Sequence, residues 1–141
     1  MRKGTFIWWV VFVVLAIWQL PQFVVALVML PFLGKLNLIA DRHFNFCFVG
    51  SKMVGGISLG PFAYVSDTMT APELVAHELD GHTVQSKILG PLYLFVVGIP
   101  SILNAWLHFT DCYYDFYTES WCNRCAGLES HNCRLVFKVN G

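Results

Sequence analysis

Two histidines and two carboxylates fall within six residues, His77-Glu78-Leu79-Asp80-Gly81-His82, in a chain of 141 residues with only five histidines. Imidazole nitrogens at about 2.0–2.1 Å suit a zinc ion, and a neighbouring glutamate can take a proton from a water activated there. The familiar spacing for this chemistry is H-E-x-x-H, which puts both rings on one face of a helix with 3.6 residues per turn. Here the histidines are five apart. Five residues rotate a regular helix by about 500°, which leaves the rings about 140° from one another. A π-bulge would absorb the extra residue and restore the common face, and Gly81 eases such a distortion. A regular helix allows a different pairing, in which Glu78 and His82, four apart, share a metal without His77. The plain alternative is two histidines and two acids on a solvated helix face.

These residues need a helix to carry them. Thr70-Ala71-Pro72-Glu73 has the form of a capping box with proline in the first turn. A helix from Ala71 to about Leu89, stopped by Gly90-Pro91, is predicted. Before it, residues 53–66 alternate small and apolar side chains around Gly60-Pro61, which predicts a short β-hairpin. After it, a helix capped by Thr110 or Asp111 and ended by Gly127 is predicted, carrying Glu119 among Tyr113, Phe116, Tyr117 and Trp121.

Hydrophobic residues make up 56% of the chain and charged ones 13%, with nine basic against nine acidic residues. That excludes disorder and gives no basic surplus for nucleic acid. No side chain from Thr5 to Leu33 is charged. A bilayer core of ~30 Å needs ~20 apolar helical residues, so this stretch reads as an anchor. It is either one kinked span or a hairpin turning at Gln19-Leu20-Pro21-Gln22, with the single span preferred. It is too long for a signal-peptide core and lacks a clear cleavage site. A second apolar stretch, Ile88–Phe109, is interrupted by glycine and proline. The basic residues divide almost evenly between the two sides that two spans would define, so orientation is open. The expectation is a mainly α membrane protein with one or two N-terminal membrane segments, a short β-hairpin and a zincin-like helix pair. It divides into an anchor over 1–34 and a core over 35–141.

Five cysteines, an odd number, argue against a complete disulfide framework. Cys122, Cys125, His131 and Cys133 have the types for a separate zinc knuckle, although plain reduced thiols account for them more simply. His43 and His108, single residues beside apolar segments, read as interface packing.

The stretch from Gly56 to His82 resembles the integral-membrane gluzincin metallopeptidases, the CAAX-prenyl-endopeptidase and heat-shock membrane protease group. Its members place a short strand before a helix reading E-L-x-x-V/L-x-H-E-x-x-H, which Glu73–Glu78 match closely. Their later E-x-x-A-D motif is similar to Glu119-Ser120-Trp121-Cys122-Asn123. Most of the chain also resembles a small uncharacterised bacterial membrane family. That family carries W-Q-L-P-Q (here Trp18–Gln22), S-L-G-x-x-x-x-V-S (Ser58–Ser66) and H-E-x-G-H-x-x-Q-S (His77–Ser86). It also carries G-P-L-Y-L (Gly90–Leu94), G-I/L-P-S (Gly98–Ser101) and Y-x-x-E-x-W-A-D (Tyr117–Asn123). Two departures stand out: Asp80 is a one-residue insertion, and Asn123 replaces an aspartate that orients a ligand histidine.

The resemblance implies zinc held by His77, His82 and Glu119, with Glu78 as general base and Asn123 behind a ligand. It implies a peptide or protein substrate added as a β-strand along Phe62, Ala63, Tyr64 and Val65. It further implies contact with membrane lipid, in the bacterial inner (cytoplasmic) membrane. The expected function is a membrane-bound zinc metallopeptidase. The alternative is an inactive relative that serves as a membrane binding or scaffold protein. A third option is a structural membrane protein with a cysteine–histidine knuckle.

Overall fold

The computed structural model describes residues 2–138. It corrects the expectation of a mainly α membrane protein: among the described residues, helices are joined by six strands in two sheets. No single helix among the described residues is long and apolar enough to cross a membrane. The N-terminal apolar run is divided into α1 (Phe6–Trp18) and α2 (Leu20–Met29), the latter extended by a 3-10 turn to Phe32. The two limbs meet at 94°, neither one continuous span nor a closed hairpin.

Pro21 lies in the first turn of α2, where its missing N–H is harmless, so the helix restarts there. The two buried glutamines at the bend tie it to the rest of the fold. Gln22 Nε2 donates to Ser86 Oγ and to the Gly90 carbonyl, each at 2.8 Å, and Ser86 Oγ donates to Gln19 Oε1 at 2.6 Å. Trp18 Nε1 donates to the Lys87 carbonyl at 2.8 Å, over Gly90, where any Cβ would strike the indole.

The main sheet has the order β1 (Leu36–Arg42), β2 (Asn45–Gly50), β4 (Phe62–Val65), β3 (Gly56–Leu59). The β3–β4 hairpin was expected; β1 and β2 were not. Helices cover both faces. Ala63 and Val65 of β4 pack with Cys47, Val75 and Leu79, whereas Tyr64 packs with Ala26, Leu33 and Leu59 and donates to the Ala26 carbonyl at 3.0 Å. This alternation follows from the period of two along a strand.

The expected helix runs from Pro72 to Leu89 as α3 (Pro72–Ala76), a π-helical segment (His77–His82) and α4 (Thr83–Leu89). Its N-cap is Ala71 without a side-chain bond, so the capping box does not form. The second apolar stretch becomes a short helix, Leu94–Leu107, whose α-helical part is α5 (Ile99–Leu107). Helix α6 (Tyr117–Ala126) starts later than expected but ends at Gly127 in the left-handed conformation. It leads into the hairpin β5 (Leu128–His131) and β6 (Arg134–Phe137).

Candidate metal centre

The π-helical segment spans His77 to His82 and resolves the five-residue spacing. A wider turn brings positions five apart onto one face. The two imidazoles face each other with centroids 4.8 Å apart at 88°. The extra residue, Asp80, is turned toward β1, where its carboxylate meets Arg42 at 3.1 Å. Gly81 is explained by close approach as much as by helix distortion. A Cβ there would collide with Cys122 Sγ and lie 2.8 Å from its carbonyl oxygen, so only glycine lets α6 pack so tightly.

That packing brings Glu119 into the cluster. Its Oε2 lies 2.8 Å from His77 Nε2 and 3.1 Å from His82 Nε2. Its other oxygen accepts from Tyr113 OH at 3.0 Å and from Ser101 Oγ. The far side of each histidine is also held. His82 Nδ1 donates to Gln85 Oε1 at 2.7 Å, an orientation set because Gln85 Nε2 donates to the Thr118 carbonyl. His77 Nδ1 donates to Asn123 Oδ1 at 2.7 Å. Asn123 therefore lies behind one of the two histidines, His77. Both Nε2 atoms are left aimed at one point, as metal-ligating histidines require.

Cys122 adds a sulfur to this centre. The donor atoms of His77, His82 and Cys122 are all buried and lie within 4.8 Å of one another, so the group could bind a metal ion. Cys122 Sγ donates to the His77 carbonyl at 3.1 Å and sits 3.6 and 3.7 Å from the two ring nitrogens. It is nearly equidistant from both, so the sulfur lies beside the imidazole.

The electrostatics follow from this crowding. Burial alone would lower the basicity of His77, but the Cys122 sulfur and Glu119 carboxylate outweigh it and push its pKa up to about 10. His82 moves upward against the same burial, through Cys122, Tyr93 and Glu119. Burial would raise Glu119, yet His82 and His77 hold it far below the usual carboxylate range.

Glu78 is buried beside the cluster. Its Oε2 accepts from Ser58 Oγ at 2.7 Å, and Gly56 gives it room, since a Cβ there would come within 2.8 Å of Oε1. It lines one cavity with His77 and a second with His82.

Phe62, Ala63, Tyr64 and Val65 lie elsewhere than their expected role requires. They form β4, paired with β2 on one side and β3 on the other, so their backbone has no free edge. The strand beside Glu78 whose outer edge is unpaired among the described residues is β3. The cysteine–histidine knuckle does not assemble either. Cys133 forms a disulfide with Cys112, Cys122 turns inward to His77, and exposed His131 pairs with Glu129 at 3.3 Å. His43 and His108 both adopt positive φ, in the β1–β2 turn and after α5, and neither belongs to the buried group of His77, His82 and Cys122. Gln85, Ser101 and Tyr113 were given no role at the centre from the sequence, although Gln85 and Ser101 are letters of the motifs above and Tyr113 was named as aromatic surface. Gln85 had one signal, its place three residues after His82.

No family model, curated protein or solved structure matches this chain.

Proposed function

We propose that this chain is a zinc metallopeptidase that hydrolyses peptide bonds at a membrane surface. The observation that carries the reading is the convergence of His77 Nε2, His82 Nε2 and Glu119 Oε2, with Glu78 buried alongside. Two ligands of a tetrahedral zinc ion at about 2.0–2.1 Å stand about 3.3 Å apart. The observed 2.8 and 3.1 Å are close to that, and two nitrogens with one carboxylate oxygen suit zinc in a catalytic site. Zinc held there would polarise a substrate carbonyl and lower the pKa of a water.

The chain's own residues supply the rest. Asn123 and Gln85 hold the two rings in the tautomer that leaves Nε2 free. Ser101 and Tyr113 steady the Glu119 oxygen that faces away from the histidines. Glu78 takes the proton from the attacking water and delivers it to the leaving nitrogen. An extended peptide pairs with β3 along its outer edge, which brings the scissile bond beside Glu78. The membrane part of the reading rests on surface composition. Phe6, Trp9 and Val13 on α1 and Phe95 and Trp106 near α5 are exposed, and Phe6 is 81% and Trp106 76% accessible. Apolar patches of this kind mark membrane or protein contact.

The test is cleavage of an internally quenched peptide library by zinc-loaded protein in detergent. Wild type should cleave, and Glu78→Gln should lose 10²–10⁴-fold in kcat, roughly the worth of a general base, while keeping zinc. Zinc bound without any cleavage by wild type would favour the inactive binding or scaffold reading.

A further inference from the structure

The two cavities beside Glu78 differ in a way that bears on which peptide the site takes, and the inference rests on the peptidase reading above. One cavity, of about 310 Å³, is walled in part by Gly55, His77 and Tyr114. The other, of about 350 Å³, is walled by Val25, Leu59, Leu94 and Ile99 and reaches His82. Both include Gly56, Ile57, Glu78 and Tyr113. They are two halves of one groove along the outer edge of β3, with Glu78 at the junction.

The second half has few polar groups, and most are already engaged. Ser58 donates to Glu78, Tyr93 OH to the Ser58 carbonyl, and Ser101 and Tyr113 to Glu119. A polar side chain entering here would lose water and find no free hydroxyl donor, which is costly. A large apolar side chain would meet hydrocarbon from α2, β3 and α5. The volume lies in the range of small-ligand pockets. The lining also continues outward, because Ile99 and Ile102, three residues apart on α5, are 49% and 42% exposed.

We infer that the cavity between α2 and α5 is a specificity pocket that selects substrates with a large apolar side chain, aromatic or branched aliphatic, on the Leu59 side of the scissile bond. Val25 and Ile99 are the specificity-determining residues.

The experiment uses zinc-loaded Glu78→Gln protein, full length, which binds without cleaving. Fluorescently labelled peptides would carry Phe, Trp or Ser at each position flanking a fixed centre. Phe should bind about 10- to 100-fold tighter than Ser at a position on one side only. Val25→Trp, which fills the cavity from α2, should erase that preference with zinc content intact. Ile99→Ala, which enlarges the cavity, should shift the preference toward Trp and keeps the test open should Val25→Trp misfold. Equal affinity for Phe and Ser, no binding of either, or a preference that survives both substitutions would overturn the assignment. Wild type that binds selectively but never cleaves would count against hydrolysis and leave the pocket standing.

Discussion

The carboxylate of Asp80 lies 3.1 Å from the guanidinium of Arg42, on the side of the π-helical segment away from the paired imidazoles. The residue that spoils the H-E-x-x-H spacing is thus the one the widened turn sends outward to β1. Deleting Asp80 should let the segment relax to a regular helix with the histidines four apart and still on one face. Zinc content of the deletion variant should match wild type. Loss of zinc there would mean that the π geometry itself is required. Arg42→Met removes a partly exposed pair, 45% for Arg42 and 25% for Asp80, so its cost should be about 1 kcal/mol in a urea titration.

Gly81→Ala should be far more damaging than its size suggests. The added methyl would drive α6, with Glu119 and Cys122, away from the histidines. Zinc should be lost and the thermal midpoint should fall. Gly55→Ala is a useful contrast, because a Cβ there meets nothing within 4 Å and only the positive φ is strained.

The amides behind the histidines should tune affinity. Gln85→Leu or Asn123→Leu removes the acceptor for an Nδ1–H and should weaken zinc by about 10- to 100-fold in a competition titration with a chelator. Asn123→Asp should strengthen it, because a carboxylate makes the imidazole a better donor. An unchanged affinity in all three would remove these residues from the account.

Acidity should act in opposite directions on the two forms. In the metal-free protein the folded pKa of His77 is raised from 6.5 to about 10. Its contribution to stability is therefore fully present below about pH 6.5 and is lost as the pH climbs toward 10. Glu119 is depressed, so its contribution holds above its ordinary value of 4.5 and is lost as the pH falls below that. Metal-free protein should be most stable between about pH 4.5 and 6.5. Zinc must displace the same protons, so its affinity should rise with pH over the range where the metal-free fold weakens. Urea midpoints with and without zinc at pH 6 and pH 9 would show whether the two trends cross.

Much of the centre was legible because its signals are local. Pro72 and Gly90 bracket the helix, Gly60-Pro61 marks the hairpin, and the five-residue spacing of His77 and His82 raised a π-bulge as one of three readings, the one the segment adopts. The β1–β2 and β5–β6 hairpins left no such mark. Both turn through two residues at positive φ without a glycine, His43-Phe44 and Asn132-Cys133, so the usual turn pairs are missing. A kink or hairpin turn at Gln19-Leu20-Pro21-Gln22 was expected, but its 94° angle was out of reach for another reason. Two glutamines in an apolar run look like an interruption until Ser86 and the Gly90 carbonyl, more than sixty residues away, are in place to bond them. The misassigned substrate strand has the same origin, since only the sheet order tells an edge from an interior strand.

The central claim is that His77, His82 and Glu119 hold zinc, and elemental analysis of detergent-purified protein tests it most directly. One zinc per chain is predicted in wild type and in a Cys122→Ser/Cys125→Ser double variant, with zinc lost in His82→Ala. A wild type without zinc, or zinc lost only when the cysteines are replaced, would contradict it.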